Sequence, residues 1–94
     1  MKIVVQKYGG TSVANLECMQ QVKKRVEKKL TQGYKVLVIL SAMSGETDRL
    51  LSLAREWSSC PDPSELDVLL TTGEQTAVAL FSMLLRDSGI RARS

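Results

Sequence analysis

Three short strings hold the residue types that could do chemistry. The first is Lys7-Tyr8-Gly9-Gly10-Thr11-Ser12, which leaves a β-branched run, Ile3-Val4-Val5, and enters a helical pattern. Two glycines let a backbone approach an anion closely, and a helix start adds free N–H groups with a favourable dipole. Lys7 places a mobile positive charge at the mouth, so the string reads as a phosphate cradle. It is not a Walker A loop, in which the lysine follows the glycines, nor a G-x-G-x-x-G turn. The same residues also read as a Gly-rich strand-to-helix turn with an exposed lysine, and spacing alone does not choose.

The second string is Ser41-Ala42-Met43-Ser44-Gly45-Glu46-Thr47-Asp48. It offers three hydroxyls, a glycine for an unusual turn, and Thr47 or Asp48 as the cap of the next helix. By itself it is a capping loop. Its place gives it a second meaning: it leaves the second strand of the unit that carries the Lys7 loop, so parallel strands put the two loops side by side. The third string is Thr71-Thr72-Gly73-Glu74-Gln75. Thr72 reads as a helix cap with Gln75 reaching back. Glu74 reads either as a dipole partner in a first turn or as a carboxylate for an ammonium group.

The elements that must position these strings follow from pattern. A buried strand is expected at about residues 2–7. Thr11 and Ser12 are expected to cap a long helix whose apolar face is Val13, Leu16, Met19, Val22, Val26 and Leu30, ended by Gly33. Val36-Leu37-Val38-Ile39-Leu40 reads as a strand covered on both faces of a parallel sheet, which completes a right-handed βαβ unit. A helix with Leu50, Leu51, Leu53, Ala54 and Trp57 on its apolar side comes next, then a linker over 58–63. Asp62-Pro63-Ser64-Glu65 fits a capping box for a helix over 63–71. A separate, largely buried helix is expected from Thr72 to Gly89, and a third strand over 90–94. Two strands with four helices make a poor sheet, which points to a segment of something larger.

Composition narrows the classes. The 94 residues allow one small domain, with 44 % apolar and 24 % charged residues. The net charge is +3. Its densest cluster, Lys23, Lys24, Arg25, Lys28 and Lys29, is interrupted by Val26 and Glu27 and reads as a wet helix face. Few aromatic residues leave little for base stacking, so no nucleic-acid partner is expected. The chain has two cysteines and no histidine, which removes a four-ligand zinc site and the Ser–His and Cys–His pairs. Cys18 is expected as a core thiol and Cys60 as a loop residue, in a reducing compartment. The start is too short an apolar run for a signal peptide, and Val36–Leu40 is too short for a bilayer span of ~20 residues. A cytoplasmic protein with no membrane partner is expected.

All three strings, in this order and spacing, resemble the aspartokinase family of the wider amino-acid kinase fold. The likeness extends over the whole 94 residues, with no departure from the pattern. The first string is shared loosely with kinases of glutamate, acetylglutamate or nucleotides; the second and third are more specific. The resemblance implies a partial three-layer α/β/α fold with a mainly parallel sheet, truncated: the amino-terminal portion of a catalytic domain, over residues 1–94. It implies transfer of the ATP γ-phosphate to the β-carboxylate of L-aspartate, giving 4-phospho-L-aspartate, the first step toward lysine, threonine and methionine. Lys7 would be catalytic and, with Tyr8, Gly9, Gly10 and Ser12, would hold ATP. Ser41, Ala42 and Thr47 would line the aspartate pocket, and Glu74 would take the α-ammonium.

The residue types suit that chemistry. A carboxylate acceptor needs no general base, and repulsion between two anions is the main obstacle, so positive charge and positioning suffice. Mg²⁺ is expected to arrive with the nucleotide, and no protein metal site is implied. In the family the adenine pocket, further aspartate contacts, a second lysine near the phosphates and regulatory ACT domains come from later sequence, and the full-length protein is expected to be a homo- or hetero-oligomer. The alternatives are a glutamate or acetylglutamate kinase, or an inactive anion-binding α/β piece.

Overall fold

β-Branched residues at both ends of a long amphipathic helix shape the molecule. The computed structural model describes residues 2–94. Strand β1 is Ile3–Tyr8, helix α1 Leu16–Thr31 and strand β2 Lys35–Leu40. Helix α2 is Glu46–Trp57 and helix α3 Pro63–Asp87. The strands pair in parallel, Val4 opposite Val36 and Tyr8 opposite Leu40. The expected βαβ unit in an α/β fold is therefore present.

The pleat divides the sheet into unlike faces. On the inner face Tyr8, Val36, Val38 and Leu40 pack against Met19, Val22 and Val26 of α1 and Ala77, Phe81 and Leu85 of α3. Burying each large apolar side chain there contributes roughly 1.5–3 kcal/mol. The outer face carries Ile3, Val5, Leu37 and Ile39, which are 68 %, 56 %, 55 % and 46 % exposed. The expectation that β2 is covered on both faces thus fails, because both long helices of this chain lie on one side. The radius of gyration, 15.4 Å, exceeds the ~12 Å of a compact chain this long. The molecule extends 51 Å along its longest axis.

Four boundaries differ from the sequence reading. Thr11 and Ser12 do not cap α1: Gly10–Val13 forms a 3-10 turn, and α1 begins at Leu16 with the Asn15 side chain accepting from the Cys18 N–H. Neither Thr47 nor Asp48 caps α2; that position is Gly45 in the left-handed region at φ 83°. The two expected helices over 63–71 and from Thr72 are one 25-residue helix. Asp62 caps it as expected, accepting from the Glu65 N–H, with Pro63 in the first turn. Residues 90–94 lie beside β2 without forming a strand.

Helix α3 is long and apolar enough, by length and composition, to cross a membrane, yet Gly73, Ala77, Phe81 and Leu85 are buried within this fold. Its other side is open, with Val68, Leu80 and Met83 exposed. It is therefore not the largely buried helix that its composition suggests. Cys18 is half-buried and Cys60 exposed, both as free thiols.

The displaced cap gives a direct test. Replacing Asn15 with Ala should lower stability by about 1 kcal/mol, whereas Thr11→Ala should change it by less than about 0.5 kcal/mol. Urea unfolding followed by circular dichroism reads both, and equal losses would restore Thr11 as the cap.

Candidate active site

The parallel register puts the carboxyl ends of both strands on one rim, where open α/β sheets bind ligands. Past the last paired residues the ladder continues by one bond: the Ser41 N–H donates to the Tyr8 carbonyl at 3.0 Å. The first two strings are thus joined through the backbone.

Side-chain size then decides how closely they approach. A Cβ on Gly9 would stand 2.8 Å from the Ser41 Oγ. Gly9 itself is extended at φ −146°, so what a side chain there would meet is crowding by the Ser41 hydroxyl rather than backbone strain. Gly10 follows at φ 54°, a left-handed conformation that suits glycine. The Ser12 N–H donates to the Gly9 carbonyl at 3.2 Å. The N–H groups of Gly10 and Thr11 open the 3-10 turn and have no acceptor inside it.

The third string arrives through another close contact. Gly73 sits buried in the interior of α3, where glycine costs about 0.5–1 kcal/mol relative to alanine. Its missing side chain makes room for the second loop. A Cβ there would lie 3.2 Å from the Ala42 Cβ, 3.3 Å from the Glu46 Cγ and 3.4 Å from the Leu50 Cδ1. Thr71, Thr72 and Gln75 do not start a helix. The Thr71 hydroxyl donates to the Val68 carbonyl and the Thr72 hydroxyl to the Leu69 carbonyl, both inside α3.

Each sequence-derived candidate can now be placed. Lys7 lies one residue from the end of β1, opposite Ile39 and exposed on the outer face. Tyr8 points inward, its hydroxyl donating to the Gln6 Oε1 at 3.0 Å and its ring carrying the Arg25 guanidinium at 5.8 Å. Ser41 and Ala42 are half-buried between Gly9 and Gly73. Ser12 is half-buried in the 3-10 turn, and Thr47 is exposed in the first turn of α2. Glu74 is exposed and lines an open cleft of about 720 Å³ with Ile39, Leu40, Thr71 and Ser94. The second loop therefore touches the first string at Gly9 and the third at Gly73, while Lys7 and Glu74 are both open to solvent.

Sequence reasoning missed two features. Gly73 was read as part of a helix start rather than as a contact point. Glu46 was read only as a loop residue, yet its carboxylate accepts from the Arg49 Nε at 3.2 Å and Nη2 at 2.5 Å. The i,i+3 spacing of opposite charges was the available signal. The Arg49 hydrogen bond holds the Glu46 carboxyl below its ordinary range; slight desolvation opposes this and the guanidinium charge supports it. The pair is thus complete above the usual carboxylate pKa and is lost only as pH falls through the lowered one.

The sequence profile of the amino acid kinase family matches residues 2–94. The chain belongs to the amino acid kinase family. It is 48 % identical over 94 residues to an aspartate kinase of Pseudomonas putida, 49 % to an aspartokinase of Pseudomonas aeruginosa and 46 % to one of Geobacillus stearothermophilus. Each match covers 100 % of this chain and 23 % of the relative, so the chain spans about a quarter of those proteins' length. Among solved structures, the aspartate kinase from Synechocystis superimposes with a TM-score of 0.86 at 42 % identity, over 90 % of this chain and 14 % of that one. E. coli aspartokinase III in complex with aspartate and ADP superimposes with a TM-score of 0.78 over 99 % of this chain and 30 % of that one. At 22 % identity this second likeness shows the fold alone.

The contact at Gly73 predicts a specific loss. Gly73→Val should destabilise the chain by about 1–3 kcal/mol through overpacking against Ala42, and Ala42→Gly in the same chain should recover part of it. Unfolding curves of the three variants check this; purely additive effects would show that the two strings do not touch.

Proposed function

We propose that this chain is the amino-terminal segment of an aspartokinase catalytic domain, over residues 1–94, and that it carries one side of the phosphoryl-transfer site. The observation that supports this best is the run of contacts from Gly9 to Ser41 and from Ala42 to Gly73. It draws the three strings together in a chain about half identical to proteins named aspartate kinase. The E. coli structure, which shares the fold, holds aspartate and ADP.

In this reading the aspartate β-carboxylate attacks the γ-phosphorus of ATP, the bond from phosphorus to the bridging oxygen breaks, and ADP leaves. The product is 4-phospho-L-aspartate, the first intermediate on the way to lysine, threonine and methionine. The attacking group is already an anion, so no base is needed. Lys7 and the N–H groups of Gly10 and Thr11 offset the negative charge of the transferring phosphoryl group. Their fit to phosphate rests on two donors that the 3-10 turn leaves without an internal acceptor, in the loop that follows the exposed Lys7 and lies against Ser41. Tyr8 and Ser12 flank that cradle. Ser41, Ala42 and Thr47 hold the acceptor, and Glu74 takes its α-ammonium. Mg²⁺ enters with the nucleotide and supplies further charge neutralisation; no residue of this chain is assigned to it. The full-length protein would work in the cytoplasm as a homo- or hetero-oligomer.

Two measurements test the proposal. In the full-length protein, Lys7→Met should lower kcat by about 10²–10³-fold in an ADP-release assay, with aspartate strongly preferred over glutamate and acetylglutamate. Retained turnover in that variant, or preference for glutamate, would sink the reading. The 94-residue chain alone should show no turnover above background, because it supplies only one side of the site; ordinary enzyme rates from it would contradict this.

A further inference from the structure

The Glu46–Arg49 pair has no role in the reading above, yet it sits against the third string. The Glu46 Cγ lies 3.3 Å from where a Gly73 Cβ would be, and Gly73 precedes Glu74. Standard bond lengths and a Cα spacing of about 3.8 Å then put the Glu46 Cγ within about 9 Å of the Glu74 Cα. Glu46 also precedes Thr47. Its side chain is 25 % exposed, with the Cγ stem packed against α3, whereas that of Arg49 is 62 % exposed, and the guanidinium closes on the Glu46 carboxylate. Asp48, roughly 200° around the helix from Glu46, lies away from α3.

Two carboxylates therefore stand near the place proposed for an amino acid that carries two carboxylates and one ammonium. Only Glu46 has a cation closing on it with several hydrogen bonds; Glu74 has neither an ion pair nor a hydrogen bond to its side chain among the described residues. We propose that Arg49 is a positioning residue that cancels the Glu46 charge, so that the acidic amino-acid substrate meets the Glu74 carboxylate without a second, repelling one. The inference rests on the function proposed above and adds a determinant of substrate affinity to that site. A merely structural i,i+3 pair would steady α2 and leave substrate affinity untouched.

The test is steady-state kinetics of the full-length protein with aspartate and ATP. Arg49→Met should raise KM for aspartate about two- to fivefold, the size of one uncancelled charge on the order of 10 Å from the substrate in a wet site, with kcat unchanged. Arg49→Lys should stay close to the parent. Glu46→Gln should not raise KM, and the double variant Glu46→Gln/Arg49→Met should return to within about twofold of the parent. An unchanged KM in Arg49→Met overturns the inference, as does a double variant as impaired as Arg49→Met alone. An unchanged kcat shows that the variants are folded. A parent protein inactive on aspartate would overturn both this inference and the function beneath it, whereas an active parent with an indifferent Arg49 overturns this one alone.

Discussion

A single backbone hydrogen bond, from the Ser41 N–H to the Tyr8 carbonyl, sets what the rest of the site can do. It extends the parallel ladder past the last strand residues and fixes the first loop beside the second. Parallel pairing is what makes this possible, because both strands then point their carboxyl ends the same way. Helix α1 returns the chain from the first strand to the start of the second, and its apolar stripe holds the sheet from one side. The pairing Tyr8 opposite Leu40 places Lys7 near the rim and turns Tyr8 into the core.

From that bond outward, closeness depends on small residues. Gly9 admits the Ser41 hydroxyl, and Gly73 admits Ala42, Glu46 and Leu50. Neither glycine needs its freedom of backbone rotation: one is extended and the other helical. At each, a Cβ would crowd the neighbouring loop: the Ser41 hydroxyl at Gly9, and Ala42, Glu46 and Leu50 at Gly73. A helix that gives up the better propensity of alanine at Gly73 gains contact with the loop that follows β2. The site is in this sense built from absent side chains, with Lys7, Thr47 and Glu74 left exposed around it.

The parts legible in the sequence were those with a strong period or a strong local chemistry. Ile3-Val4-Val5 and Val36–Leu40 announced strands, the spacing from Met19 to Val26 announced a helix, and Asp62 with Pro63 announced its cap. The misread parts have physical reasons. Thr11 and Ser12 have cap chemistry, but Gly10 starts a 3-10 turn that delays α1 until Asn15 can cap it. Thr72 looks like a cap, but its hydroxyl turns back to the Leu69 carbonyl while the helix continues through it. Gly73 reads as a break because sequence shows its cost and not the neighbour that fills its space. The nearness of the first two strings followed from parallel strands alone, whereas the approach of the third depends on how α3 packs. The place of the Glu46–Arg49 pair did not, because nothing in one dimension says which side of α2 packs against α3.

The uncovered strip of Ile3, Val5, Leu37 and Ile39 shapes how such a polypeptide behaves as it is made. The βαβ unit can pair its strands once Leu40 has left the ribosome, well before α3 is available to close the inner side. For that interval α1 alone covers the inner face of a two-stranded ribbon, and afterwards the outer face is still wet. Such surfaces attract one another at micromolar concentration and are what chaperones bind. Whatever finally lies over that strip, the early life of this segment is governed by how long it waits for a cover.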